Sequence, residues 1–437
     1  MHTNPMKTLF VVCILTITLA YGADDFKYDT LTQVEHIGTS KETRRSPIQD
    51  VIDNAKEGSI IKLNAGVYEG NIVITKPISI IGVEEGVILD GLDAGSVITV
   101  KSSYVTLKNL TITNSGDRSD LLDAGITIGG DTSTGAISQC EISHCKITNS
   151  LLGINAEIVN NSLIANNYIS SKNLALGLRG DGIRLWYSND NIIKKNHLYK
   201  SRDMVVWYSH GNTIEENLGE YGRYSLHFMY AGKNFVHNNE YRYNSVGIFF
   251  MYSNDTIATG NIVKSSIGAA GLGIGLKDAS NFTIENNTFI YNAQGMYIDR
   301  SPFEPDTNNF IRNNKILYNA EAMHFHSLCE NSIVTDNVIL GNIEDVVNDS
   351  RSEKDFNNEF ARNYWDNYEG FDKDKNGVGD NSYKLYQYAD KLWTYNPSVK
   401  FFYGSPVISL LNFLSKLAPF SEPLFLLEDK EPKFINN

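Results

Sequence analysis

Residues Ser225–Asn239 read SLHFMYAGKNFVHNN. Leu226 and Phe228 stand on one parity, His227 and Met229 on the other, so both faces carry large non-acidic side chains. A strand with one face in water should alternate apolar with polar. The stretch closes on Val236 followed by Asn239, and an apolar residue with Asn or a substitute three positions on recurs. The pairs are Ile164/Asn167, Ile193/Asn196, Ile214/Asn217, Val236/Asn239, Ile257/Gly260, Ile284/Asn287, Ile311/Asn314 and Ile333/Asp336, with steps of 29, 21, 22, 21, 27, 27 and 22 residues. Short β-rich runs at this period, broken by Asn, Gly and Ser and lacking a helical pattern, predict a parallel β-helix. Asn at the turn is expected to take left-handed geometry and to hydrogen-bond the Asn of the next coil. Longer steps, such as the one holding DRSPFEPDTNN (Asp299–Asn309), read as loops leaving the coil.

Aligned on their second strand, the coils read GIRLWY, DMVVWY, SLHFMY, GIFFMY, GIGLKD, GMYIDR and AMHFHS. Ile183/Leu185, Met204/Val206, Leu226/Phe228, Ile248/Phe250, Ile274/Leu276, Met296/Ile298 and Met323/Phe325 are uniformly apolar and take the interior. The outward column is then Arg184/Trp186, Val205/Trp207, His227/Met229, Phe249/Met251, Gly275/Lys277, Tyr297/Asp299 and His324/His326. Trp186, Trp207 and Phe249 on that column suggest an interaction surface, or a stripe covered by a loop or the tail. Thioether and imidazole together select copper, Cu(I) above all, over hard cations. Met229 and Met251 are expected about 4.8 Å apart on adjacent strands, with His227 on the same face. His324 and His326 lie three coils beyond Met251, about 14 Å at that spacing, and form a separate candidate site.

The chain has 437 residues, 42% hydrophobic, and a formal charge of −13. That is enough apolar material for a large core, and an acidic balance that argues against nucleic acid as a partner. Residues 1–22 read as a secretory signal, an apolar run from Leu9 to Ala20 ahead of small residues, with no membrane span expected after cleavage. An N-terminal extension (23–45), the β-helix (46–365), about a dozen coils and ~60 Å long, and a C-terminal segment (366–437) follow. Cys140, Cys145 and Cys329 make an odd number in the mature chain, so disulfides do not hold the fold. CEISHC (Cys140–Cys145) resembles a soft-metal cluster, but small buried residues inside a coil are the simpler reading.

Asp372, Asp374, Asn376, Gly377 and Asp380 have the spacing of the first part of an EF-hand loop, with Tyr383 in place of the closing Glu. A structural Ca²⁺ and an Asx-rich turn both fit. Ser405 and Pro406 open a short helix on which Val407, Leu410, Leu411, Phe413, Leu414 and Leu417 offer an apolar face. Docking of about Ser405–Leu427 on a membrane partner is expected, against the competing role of capping the last coil. There is no Gly-rich phosphate loop of the Walker type. Lys277, Asp278 and Asp299 are the groups a carbohydrate-active enzyme on this fold would use, a lyase, hydrolase or epimerase. A passive surface adhesin is the third reading.

GDGIRLWYSNDNIIKKN, RYSLHFMY, GIFFMYS, GLGIGLKD, NYWDNYEGFDKDKNGVGD and the tail SP…LAPFSEP…LLEDKEP, in that order, resemble the NosD family. The resemblance covers about Ser46 to Pro432. It implies a right-handed β-helix in the periplasm, bound to an ABC transporter of permease and ATPase subunits. Such a protein receives copper from a lipoprotein chaperone and helps assemble the copper-sulfide centre of nitrous oxide reductase. The LHFMY and FFMY signatures fall here on His227, Met229 and Met251; their role as ligands is read from strand parity.

Overall fold

The computed structural model describes residues 41–130, 135–266, 268, 270–349, 356–387, 402, 405–417 and 424–434. The expected signal segment lies outside them. Each coil supplies one strand to each of three sheets, of 15, 13 and 12 strands, that begin at Ile60–Leu63, Gly66–Glu69 and Ile72–Ile74. Pairing between successive coils is parallel throughout the body. The chain is a right-handed parallel β-helix with few helices.

Strand alternation places the core. In the third sheet Leu226 pairs with Ile248 and Phe228 with Phe250, then Ile274, Leu276, Met296, Ile298, Met323 and Phe325 continue in register, all buried. Full burial of such side chains stabilises by about 1.5–3 kcal/mol each before conformational entropy is subtracted.

A buried asparagine ladder runs beside this core through Asn167, Asn196, Asn217, Asn239, Asn261, Asn287, Asn314, Asn337 and Asn363. Each Nδ2 donates to the Oδ1 of the next at 2.9–3.0 Å. Two of the expected rungs are displaced. Val236 pairs with Ala258, and Phe310 with Ile333, so the ladder passes through Asn261 and Asn337 instead of Gly260 and Asp336. The conformational argument for Asn also moves by one residue. Left-handed φ falls on the residue before each rung, Lys195, Glu216, Asn238, Gly260, Asn313 and Asp336 among them. Many residue types occupy that position, whereas the rung needs an amide that donates and accepts at once.

The two ends are closed differently. At the N-terminal end the helix Gln49–Asn54 lays Ile52 on the core, and Gln49 acts as a surrogate strand. Its Nε2 donates to Val73 O and its Oε1 accepts from Val73 N, both at 2.8 Å. At the far end the strand Leu424–Asp429 joins the first sheet beside Phe356–Ala361 and pairs antiparallel with Tyr383–Gln387. Asp429 ends the ladder, accepting from Asn363 Nδ2, Asn363 N, Trp365 Nε1 and Arg362 N at 2.9–3.0 Å. Leu426 and Leu427 are buried. The expected docking segment is therefore divided: its last residues cap the solenoid, because a terminal coil otherwise exposes an open edge and apolar interior. Val407, Leu410, Leu411, Phe413 and Leu414 on the helix Pro406–Leu417 are exposed, and Leu417's side chain lies outside the described residues. No helix among the described residues is long and apolar enough to cross a membrane.

Candidate metal-handling face

The register of the third sheet lines up Trp186, Trp207, Met229, Met251, Lys277, Asp299 and His326 on one outward row. Arg184, Val205, His227, Phe249, Gly275, Tyr297 and His324 form the other. The expected parity holds, but the middle of the face is not open to solvent. Phe249 and Met251 are buried and His227 is 0% exposed. Phe249 and Met251 form an apolar cluster of their own with Val246 and Leu272, flanked by Tyr224, Met229, Ala270 and Tyr297. Phe249 is thus packing rather than an exposed contact. Gly275 opposite it leaves room for the ring, since a Cβ there would stand 2.2 Å from Phe249 Cδ2.

Against this cluster His227 Nε2 lies 3.4 Å from Met251 Sδ. Its Nδ1 faces Asp203 Oδ2 at 3.7 Å, and both side chains are fully buried. The ring stacks on Tyr224, centroids 4.8 Å apart, and meets Trp207 edge-on. Asp203 sits at a register shift between its strand and Tyr224–Met229, which turns the carboxylate under the face. Although burial opposes ionisation, the Arg223 guanidinium keeps its pKa well below the usual carboxylate range. Arg223 Nε donates to Oδ1 at 3.0 Å and Tyr224 N at 3.1 Å. Met229, in register with Met251, is half-buried above the pair. Two thioethers and one imidazole nitrogen, on a ring whose other nitrogen faces a carboxylate, are suited to a soft monovalent ion.

Trp186 and Trp207 line a neighbouring cleft of roughly 200 Å³ with Arg184 and Arg202, and Arg184 stacks 4.6 Å above the Trp186 ring. Lys277 Nζ lies 3.2 Å from Asp299, and Arg300 pairs with buried Asp278. These acidic groups are engaged in ion pairs instead of converging as an acid and a base.

His324 and His326 stand at the polar end. Both approach Asp349, which sequence comparison of the coils did not single out, and Glu321 accepts from His324 Nδ1 at 2.7 Å. Burial opposes protonation, yet hydrogen bonds with Asp349 and Glu321 push His324 up to about 9. Asp349 is correspondingly held well below the usual carboxylate range.

Asp372 accepts from the backbone of Asn376 and Gly377, Asp380 from that of Lys373, and Asp374 from Asn376. The loop carboxylates thus serve Asx-type turns. Cys140, Cys145 and Cys329 are buried and free, and burial pushes the Cys145 thiol up to about 12. That favours the neutral, packing form over a thiolate ligand.

A family model described as "Periplasmic copper-binding protein (NosD)" matches residues 165–370, and one for a right-handed β-helix region matches 95–218. The first range holds both histidine clusters. A Pseudomonas aeruginosa protein called "Probable ABC transporter binding protein NosD" is 28% identical over 432 residues, spanning 89% of this chain and 94% of its own. A Stutzerimonas stutzeri protein of the same description is 24% identical, spanning 82% and 83%. Among solved structures, the A-module of Azotobacter vinelandii mannuronan C-5 epimerase AlgE6 superposes with a TM-score of 0.52 at 13% identity, covering 71% of this chain and 91% of that one. That likeness shows the fold alone. The family match, the two relatives and the LHFMY and FFMY strands together support the NosD family for this chain, to which it is similar over most of its length.

Proposed function

We propose that the protein works in the periplasm as a non-enzymatic partner of an ABC transporter, accepting Cu(I) as cargo from a lipoprotein chaperone. It passes the ion toward the copper centre of nitrous oxide reductase. The observation that carries this reading is the approach of His227 Nε2 to Met251 Sδ at 3.4 Å, with Met229 in register on the adjacent strand. Soft donors in an apolar pocket favour Cu(I), which accepts few ligands and loses its weak hydration readily. Asp203 faces Nδ1 of His227 and leaves Nε2 as the donor. Half-buried Met229 is the entry ligand, exchanging the ion with a partner before Met251 and His227 take it. Energy for the cycle comes from the transporter's ATPase subunits, and the exposed helix Pro406–Leu417 is the contact with its permease.

Anaerobic Cu(I) titration against a competing chelator tests the site. Met229→Leu together with Met251→Leu keeps the volume and removes both thioethers. Retention of copper should fall by about 100-fold or more, equivalent to ~2.7 kcal/mol, with the fold unchanged. Parental affinity in the double variant would place the ion elsewhere.

A further inference from the structure

The polar end of the same face has different chemistry. His324 and His326 end the strand Glu321–His326, and Asp349 follows the adjacent strand Glu344–Asn348. His326 Nδ1 is 2.8 Å from both Asp349 oxygens, and His324 Nε2 is 3.3 Å from Oδ2. The donor atoms of all three lie within 4.8 Å of one another.

Two imidazoles beside a carboxylate can be no more than ion pairs, but the surroundings here do more. Glu321 Oε2 engages His324 Nδ1 at 2.7 Å and is itself held by Gln294 Nε2 at 2.7 Å. A carboxylate on the far nitrogen fixes ring orientation and tautomer in metal-ligating histidines, directing Nε2 toward the ion. Tyr297 walls the cluster, with ring centroids 5.5 and 6.0 Å from the two imidazoles. Lys277 engages Asp299, the acidic residue in register with His326. Asp349 is 42% exposed, which gives an ion a route from solvent.

We propose that His324, His326 and Asp349 bind a divalent first-row transition metal of the Zn²⁺ class, with Glu321 as the positioning residue. Nitrogen and carboxylate donors without a thioether suit a borderline divalent ion, while two imidazoles disfavour Ca²⁺ and Mg²⁺. Metal–ligand distances of about 2.0–2.2 Å put tetrahedral donors about 3.3–3.6 Å apart. The His324–Asp349 separation of 3.3 Å is at the lower end of that range, and His326, now 2.8 Å from Asp349, must open by about 0.5–0.8 Å. Three protein ligands leave a position for water. The proposal stands independently of the Cu(I) reading, which uses other residues and another ion.

The test is titration of EDTA-stripped full-length protein with Co²⁺, read by its visible d–d bands, followed by displacement with Zn²⁺. The parent should develop the bands at one equivalent and lose them to Zn²⁺. His326→Gln and Asp349→Asn, both at partly exposed positions, should each weaken Co²⁺ binding at least about tenfold. Glu321→Gln should keep the bands but weaken binding about 10–100-fold. Absence of bands in the parent, or parental affinity in both ligand variants, overturns the proposal. Cu(I) titration of the same parent preparation is read separately, so failure of one site is distinguishable from failure of the other.

Discussion

The His227 and His324 clusters occupy the same face of one sheet, with their histidines four strand pairings apart, and yet differ in almost every physical respect. His227 is sealed under Met251, Tyr224 and Trp207, and the carboxylate facing it is committed to Arg223. His324 and His326 share an accessible Asp349. The difference comes from what each coil places on the two outward rows. Phe249 and Met251 close over the first cluster, whereas Lys277 and Asp299 bring charge beside the second. One scaffold thus holds thioethers and an imidazole in a sealed cluster and two imidazoles with a carboxylate in an accessible one, and stability should depend on the two in different ways.

The largest expected contrast is at the carboxylates. Asp203→Ala removes a fully buried anion and leaves Arg223, with nearby Arg202, without it. A loss of ~3 kcal/mol in urea unfolding is expected, as for breaking a buried pair. Asp349→Ala, at a partly exposed position but hydrogen-bonded to His324, should cost less, about 1–2 kcal/mol. Equal costs would dissolve the distinction between a built-in and an accessible carboxylate.

Next in size is a pH effect confined to the second cluster. His324 is held at about 9, above the ordinary histidine value of 6.5, so the folded state binds its proton more tightly than the unfolded chain. The associated stability is fully present below about pH 6.5 and disappears as pH rises through 9. Metal-free protein should therefore lose on the order of 2 kcal/mol between those limits. The slope should flatten in His324→Gln and persist in His227→Ala, as thermal melts across that range will report.

How much of this was legible follows from where each group sits. Met229 beside Met251, and His324 beside His326, were readable because strand parity and coil alignment suffice for residues within one column. The expected ladder departs from the observed one at Gly260 and Asp336 because a left-handed turn residue precedes every rung, and in those coils that residue stands at the expected rung position. Asp203, Glu321 and Asp349 were missed since each lies outside the aligned pair of its coil, and Asp203 reaches His227 only through a register shift. A signal existed for Asp203. Arg202 donates to Asp181 and Arg223 to Asp203, an Arg-to-Asp step repeated just before successive strands.

Cu(I) affinity should show a smaller effect at the imidazole than at the thioethers. His227→Ala removes a single donor while both methionines remain, and about tenfold weaker binding is expected, or ~1.4 kcal/mol. An unchanged constant would reduce His227 to packing between Tyr224 and Trp207, and leave the first cluster a thioether pair.

The smallest expected effect on stability carries the same contrast between built-in and accessible into the tail. Leu427 is 3% exposed within the terminal cap, so Leu427→Ala should cost about 2 kcal/mol or more. Leu410 and Phe413, at 56% and 57% exposed, bury little on the solenoid. Leu410→Ser with Phe413→Ser should therefore shift unfolding by no more than about 0.5 kcal/mol. If the helix is the permease contact, that variant melts like the parent but no longer retains the transporter in a pull-down, while Leu427→Ala melts early and still retains it. A large loss of stability in the serine variant would mean that the helix belongs to the cap, and the contact with the permease would then have to come from the solenoid.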